Sequence, residues 1–461
     1  MRRTSIRRAV IAAMIGTVIE WFDFALYGAA AGLVINKLFF PQLSGIGGTL
    51  AAFATFAVGF FIRPIGGIVI AHFGDRFGRK PALIFTIVLM GASTAAIGLL
   101  PTYAQAGMAA PVMLVLLRLM QGFGAGAEYA GAVTLVAEYV PERHKGLLTG
   151  MLQSASLLGV SFATLAFLVA SYAPEDILLG WTWRIPFLAS AVLFFVALYI
   201  RKRLDETPEY VVAMERAAAR HQETHIPLAE LLRNSPRELL FGFLSVTGHN
   251  ANVYILSTFM LSYMVGTLGM ARSSSLAVVM FSSALGAVAT MIMGAISDRI
   301  GYAKVYIFGA VFTFFYAFPM FVLMDTRITA IALLAMCVGY GFGFSGFAGS
   351  QAAFLANLFE TRYRFSGIAM CRELNGMIVA GPTPFIASAL VALAGGSPRL
   401  VVIFLMVCCA LSLVAILAVK RRAIHGSAIQ EEGIADQSGR PGVPAAPALR
   451  AIGTGRRATR R

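Results

Sequence analysis

The chain has 461 residues, 58% of them hydrophobic and only 13% charged, with a net charge of +15. A soluble protein carries roughly 25% charged residues, and here the apolar residues fall in long blocks, so the composition excludes a soluble enzyme and points to a polytopic membrane protein. The excess charge is not a nucleic-acid signature, because Lys and Arg sit in short segments between the apolar blocks and in the tail.

The first apolar stretch, 9–36, carries Glu20, Trp21, Phe22, Asp23, Phe24 and Tyr27 in its middle. An Asp at the centre of a spanning helix costs on the order of 2.5–3.5 kcal/mol on insertion scales. The i, i+3, i+7 spacing of Glu20, Asp23 and Tyr27 puts them on roughly one face. That face is expected to meet other helices or water. Basic residues ahead of an apolar run, with Ala29-Ala30-Ala31 beyond, imitate a signal peptide. The two acids interrupt the run, so it reads as a span.

Eleven more blocks follow, near the roughly 20 residues needed to cross. The twelve expected spans are 9–36, 48–72, 82–101, 109–138, 147–171, 183–201, 239–265, 275–297, 304–324, 328–352, 366–393 and 399–420. This predicts an all-α membrane protein. Its parts are a six-helix half (1–201), a linker (202–238), a second six-helix half (239–420) and a disordered tail (421–461). In the linker, Thr207-Pro208 predicts a helix start, with a helix to Arg220. The tail is rich in Gly, Pro, Ala and Arg and has no apolar heptads. With both termini in the cytoplasm, 29 of the 37 Lys and Arg lie on that side and four on the other, the positive-inside pattern.

Two short segments repeat between the halves. Gly74-Asp75-Arg76 after span two matches Ser297-Asp298-Arg299 after span eight, and Arg143-His144-Lys145 after span four matches Arg362-Tyr363-Arg364 after span ten. Parallel repeats of this kind predict a transporter with its site between the halves near mid-membrane. In the loop after span two, Gly74 and Gly78 supply turn geometry, and Asp75 suits a helix start. Arg76, Arg79 and Lys80 also serve orientation.

Arginines inside spans are functional candidates. Arg118 in span four either forks onto a substrate carboxylate or pairs with Glu20 or Asp23, and Glu128 lies deeper on the same helix. Arg63 precedes Pro64, which can kink span two. It lines the cytoplasmic end of a cavity or snorkels. His249, Asn250, Asn252 and Tyr254 place polar groups at mid-depth in span seven. They suit a hydroxylated substrate or hydrogen-bond between helices. Arg372 and Glu373 in span eleven are candidates for an ion pair. As adjacent residues they do not face each other, so they need separate partners. Cys337, Cys371, Cys408 and Cys409 all lie in apolar stretches, with no disulfide or zinc pattern. No metal, cofactor, phosphate loop or catalytic triad is expected.

The segment His72-Phe73-Gly74-Asp75-Arg76-Phe77-Gly78-Arg79-Lys80 resembles the signature loop of the major facilitator superfamily. Glu20-Trp21-Phe22-Asp23-Phe24 with Tyr27-Gly28, Arg63-Pro64-Ile65-Gly66-Gly67, Arg118 with Gln121-Gly122 through Glu128, Trp183-Arg184-Ile185-Pro186-Phe187 and Glu206-Thr207-Pro208-Glu209 narrow this. Together they resemble the metabolite:proton symporter family, over about 9–420. The resemblance implies a twelve-helix major facilitator fold and alternating access in a bacterial inner membrane. It implies a monomer that imports a small organic acid, such as shikimate or a di- or tricarboxylate, with a proton. A proline/betaine-type osmolyte symporter is the rival within the family. A drug antiporter and a non-transporting receptor are further alternatives. Gly74, Asp75, Arg76, Gly78, Arg79 and Lys80 are implied to form the inner latch. The second copy, Asp298 and Arg299, is degenerate and expected to matter less. Substrate contacts are expected from Arg118, Tyr27, Arg63, His249 and Asn252. Proton coupling is expected from Asp23, Glu20 or Glu128, with Asp23 favoured.

Overall fold

The computed structural model describes residues 2–43, 45–77, 79–126, 145–203, 231–233, 235–359 and 364–438; within its helices no side chain of 2–13, 71–72, 74–80, 83, 196–203, 365 or 420–438 is described. Among the described residues every regular element is helical. Hydrocarbon offers no partner for a backbone N–H or C=O, and a helix satisfies both within itself.

Among the described residues, nine helices are long and apolar enough to cross a membrane: α1 (Met14–Leu38), α2 (Gly45–Ile70), α5 (Lys145–Ala170), α7 (Pro236–Thr267), α8 (Arg272–Ile300), α9 (Tyr302–Met324), α10 (Thr329–Leu358), α11 (Ser366–Leu393) and α12 (Arg399–Val419). A tenth, α6, is a pair, Glu175–Thr182 and Arg184–Phe195, bent by 42°. Two shorter apolar helices, α3 (Ile84–Leu99) and α4 (Ala109–Ala125), occupy the places of the third and fourth spans. All twelve predicted positions therefore hold a helix. The second part of span four lies outside the described residues, as does most of the linker with its expected helix.

The helix that contains α12 is described as far as Ser438. Residues 439–461 lie outside the description. Met1–Val419 forms one compact unit and Lys420–Arg461 a second.

The outward face of the first unit is apolar. Phe195, Phe315, Val169 and Val414 are among its exposed large side chains, as a lipid-facing surface requires. The centre belongs to α1. Of its apolar stretch 83% is buried, against 39% for α9 and for α11. This is the physical resolution of the acids in its middle: they face protein. α1 lies against α5, α5 lies along α8, and α2 against α4.

The first six and last six spans touch at both ends of the bundle. At one end a Cβ on Gly28 of α1 would stand 2.9 Å from Thr258 Oγ1 of α7. Only a residue without a side chain lets these helices approach so closely. At the other end the start of α5 meets the end of α8, as described below. Several helices widen into π-helical turns, notably Ile255–Phe259, Gly339–Phe344 and Gly376–Ala380, a feature often found where helices line functional sites.

Candidate substrate and coupling site

Asp23 is 1% exposed, and its Oδ1 has no hydrogen-bond partner. The Thr94 hydroxyl of α3 stands near the same carboxyl. Thr94 Oγ1 accepts from Gln121 Nε2 at 2.8 Å, and the Gln121 Oε1 accepts from Arg118 Nη1. Thr94 spends its one hydroxyl proton on the Met90 carbonyl at 3.0 Å, so Thr94 and Gln121 stand between Asp23 and Arg118 with Thr94 able only to accept from a protonated Asp23.

Arg118 is fully buried. It donates from Nη2 to the Phe56 carbonyl at 3.0 Å and from Nε to the Thr55 carbonyl at 3.5 Å. Its Cζ stands 4.0 Å over the Tyr27 ring, a cation–π contact worth about 2 kcal/mol when desolvated. The direct ion pair with Glu20 or Asp23 weighed from the sequence is absent: among the described residues, the ion pairs are Arg63–Glu20 and Lys37–Glu175. The reason lies in α2, whose carbonyls and aromatic rings already receive the guanidinium. That approach needs two glycines. A Cβ on Gly122 would fall 1.9 Å from the Gly59 carbonyl oxygen, so only glycine brings α4 close enough to α2.

Tyr27 has its hydroxyl on Thr55 Oγ1, and Thr55 in turn donates to the Ala52 carbonyl at 2.7 Å. Tyr27 is therefore the donor of the pair.

Glu20 takes the other arginine. Arg63 Nη2 donates to Glu20 Oε1 at 3.0 Å, with the two side chains 12% and 7% exposed. Arg63 also lies over Phe24 and Phe60, at 4.2 and 4.7 Å. It is packed inside the protein and does not snorkel. Around both guanidiniums the rings of Phe24, Tyr27, Phe56 and Phe60 form one aromatic cluster, which Tyr254 of α7 joins by stacking on Trp21 at 5.9 Å.

Span seven divides. Tyr254 reaches the cluster, but His249 does not: its ring packs on Phe344 and Phe347 of α10, and its Nδ1 has no partner. Asn252 borders a small cavity with Thr313, Tyr316 and Gly343, and its Nδ2 has no partner. Asn250 donates to Asn375 Oδ1 at 2.7 Å, and Asn375 donates to the Phe243 carbonyl and Thr247, both at 2.9 Å. This set ties α7 to α11.

Arg372 and Glu373 do not pair. Arg372 Nη1 donates to Gln351 Oε1 at 3.1 Å, while Glu373 Oε2 is buried without a partner. Neighbours on a helix point about 100° apart, so the candidate pair fails on geometry.

At the opposite end of α5 from the Gly28 contact, Asp298 accepts from the Gly146 and Leu147 amides at 2.6 and 2.9 Å. These are N–H groups of the first turn of α5, which no intrahelical carbonyl can satisfy. Lys145 beside them is buried and donates to Asn357 of α10 at 3.2 Å. The second motif copy was expected to matter less, yet its Asp298 clamps α8 to α5. Arg299 is exposed. Of the first copy, Asp75 and Arg76 lie in the helix Arg63–Phe77, and Arg79 and Lys80 open the next helix. Their side chains and those of Gly74 fall outside the description, as do Gly78 and Glu128 altogether. Sequence reasoning missed the roles of Thr55, Thr94 and Lys145. Thr in an apolar helix and a basic residue at a span end are too common to single out.

A family model for the Major Facilitator Superfamily matches residues 13–381. The chain belongs to that superfamily. This facilitator is 34% identical to the shikimate transporter of Escherichia coli (strain K12), over 90% of its own length and 94% of that protein's. It is 33% identical to the glycine betaine/proline/ectoine/pipecolic acid transporter OusA of Dickeya dadantii (strain 3937), covering 84% of this chain and 78% of that one. In structure it is similar to a D-xylose-proton symporter, with a TM-score of 0.70 at 20% identity over 90% of this chain and 97% of that one. The likeness at that identity establishes the fold. The protein is thus a membrane transporter of the major facilitator fold, and not an enzyme.

Proposed function

We propose that this facilitator imports a small organic acid together with a proton, by alternating access of its two six-span halves, across a bacterial inner membrane. The observation that carries the reading is Asp23: a buried carboxyl with one oxygen unpartnered, with Thr94 and Gln121 between it and a fully buried arginine. A carboxyl so placed can gain a proton without breaking an ion pair. Arg118 keeps part of its fork of N–H donors uncommitted, which a substrate carboxylate can take. The anion draws the guanidinium away from Gln121, the Gln121–Thr94 contact beside Asp23 shifts, and the two loads become coupled. Shikimate, the substrate in the name of one relative, is the first organic acid to try.

One observation favours a second reading. The faces of Trp21, Phe24, Phe56, Phe60 and Tyr254 lie together at the site, and aromatic faces also receive quaternary ammonium groups. A betaine-type osmolyte would use them. Proteoliposomes with an imposed pH gradient, offered shikimate, quinate, α-ketoglutarate, citrate and betaine in turn, decide between the two. Uptake of an organic acid that grows with the inward proton gradient is expected. Uptake of betaine alone overturns the organic-acid assignment, and uptake indifferent to the gradient overturns symport.

A further inference from the structure

Arg63 and Glu373 carry complementary unfilled positions where α2 meets α11. Arg63 spends one Nη–H on Glu20, but its Nε–H is buried without an acceptor. Glu373 Oε2 is buried without a donor. The helix Arg63–Phe77 packs on Arg364–Asn375 and on the π-helical turn that follows it. A buried charge is tolerated when paired and hydrogen-bonded, and is otherwise neutralised. Glu373 and Arg63 stand on packed helices, and neither of the two open positions is filled by the other.

The other ionisable groups around Glu373 are few. Arg372 on its own helix turns to Gln351 of α10, a span with no charged residue. α7 presents His249 and Tyr254, with Arg237 and Glu238 at its far end. The helix of Arg63 also carries His72, Asp75 and Arg76, with side chains outside the description. Glu20 reaches the cluster through Arg63.

We propose that Arg63 is a two-position switch, holding Glu20 in the arrangement described here and Glu373 in a second arrangement of the two halves, and that Glu373 carries a proton whenever Arg63 holds Glu20. As the halves move, the Glu373 proton leaves to water and the Arg63 Nε–H takes its place on the carboxylate. The guanidinium keeps all its own protons throughout. This rests on the alternating-access reading and adds to it a second proton-binding carboxyl. Asp23 answers to Arg118 through Thr94 and Gln121, whereas Glu373 answers to Arg63, so the two titrate through separate arginines.

Infrared difference spectra of the full-length protein in liposomes, taken across a pH titration, count protonated carboxyls without any substrate. Two buried carboxylic-acid bands are expected, one lost in Asp23→Asn and the other lost in Glu373→Gln. Glu373→Asp is expected to move its band and keep it. A spectrum unchanged by Glu373→Gln overturns the proposal. Should Glu373→Gln fail to insert, Asp23→Asn still decides: a band must survive in it and move in Glu373→Asp, and loss of every band overturns the proposal. Where shikimate is taken up, each coupled proton raises its steady-state accumulation about tenfold per pH unit of gradient. The wild type is then expected to approach about a hundredfold and Glu373→Gln about tenfold; equal slopes overturn the second proton. If no organic acid is accumulated, the functional reading fails while the infrared spectra still decide Glu373.

Discussion

Asp23 and Glu20 sit three residues apart on one helix face, yet their surroundings assign them different work. Glu20 is held by Arg63, and its proton would have to compete with that ion pair. Asp23 has an oxygen free. Asp23→Asn is therefore expected to cut accumulation driven by a pH gradient from about a hundredfold to about tenfold per pH unit, while leaving substrate counterflow, which needs no net proton movement. Proteoliposome counterflow measured beside gradient-driven uptake makes the check. Arg118→Lys keeps the charge but gives up the planar fork that bridges the Phe56 carbonyl and Gln121. Hydrogen bonds made by charged groups contribute about 1.5–3 kcal/mol each, so loss of one predicts a fall in initial uptake rate of about ten- to a hundredfold. The acid face of α1 was legible in the sequence from its spacing. Which acid is paired was not, because that depends on where α2 and α3 place Arg63 and Thr94, some 43 and 71 residues away in the chain.

Two contacts between elements carry the bundle. The first is the α2–α4 crossing at Gly59 and Gly122. Gly122→Ala would put a methyl 1.9 Å from a backbone oxygen, where no side chain can give way. The helices must separate, and overpacking of this kind typically costs about 1–3 kcal/mol. A lower melting temperature in detergent is expected, along with loss of the Arg118 contacts. The second is the seat of Asp298 on the start of α5. Removing a side chain that caps helix N–H groups costs about 0.5–2 kcal/mol. Asp298→Ala is thus expected to shift the carrier toward the arrangement open at that end by a factor of about 2 to 30. Thiol labelling of a single cysteine placed at Asn357 reads the change, and unaltered labelling would count against the clamp. The motif copies were visible in the sequence. The seat of Asp298 needs only a carboxylate and a neighbouring helix start, and the missing Gly-Arg-Lys ending does not affect either.

The whole molecule is organised by two solvents. The hydrocarbon fixes the helices and their number, and the aqueous phase on the positive-inside side fixes their direction. The charge distribution predicts that both termini share one face. Cysteines placed at residue 4 and at residue 440 are expected to react with a membrane-impermeant reagent from the same side, and opposite labelling would refute the orientation. Gly28 meets Thr258 and Asp298 meets the start of α5, so the first six and last six spans touch at two separate places.

Composition and apolar block length by themselves determined the membrane class, the helical class and the positions of all twelve spans, because each follows from backbone satisfaction in lipid and needs no partner. The motifs were enough to mark the family and to single out the acids and arginines as candidates. Only the tertiary structure decided the pairing: Glu20 with Arg63, Asp23 with Thr94 and Gln121 between it and Arg118, Arg372 with Gln351, and Glu373 with an open position. Pairing is set by angles and distances between helices far apart in the chain, and residue types and spacings along one helix do not contain them.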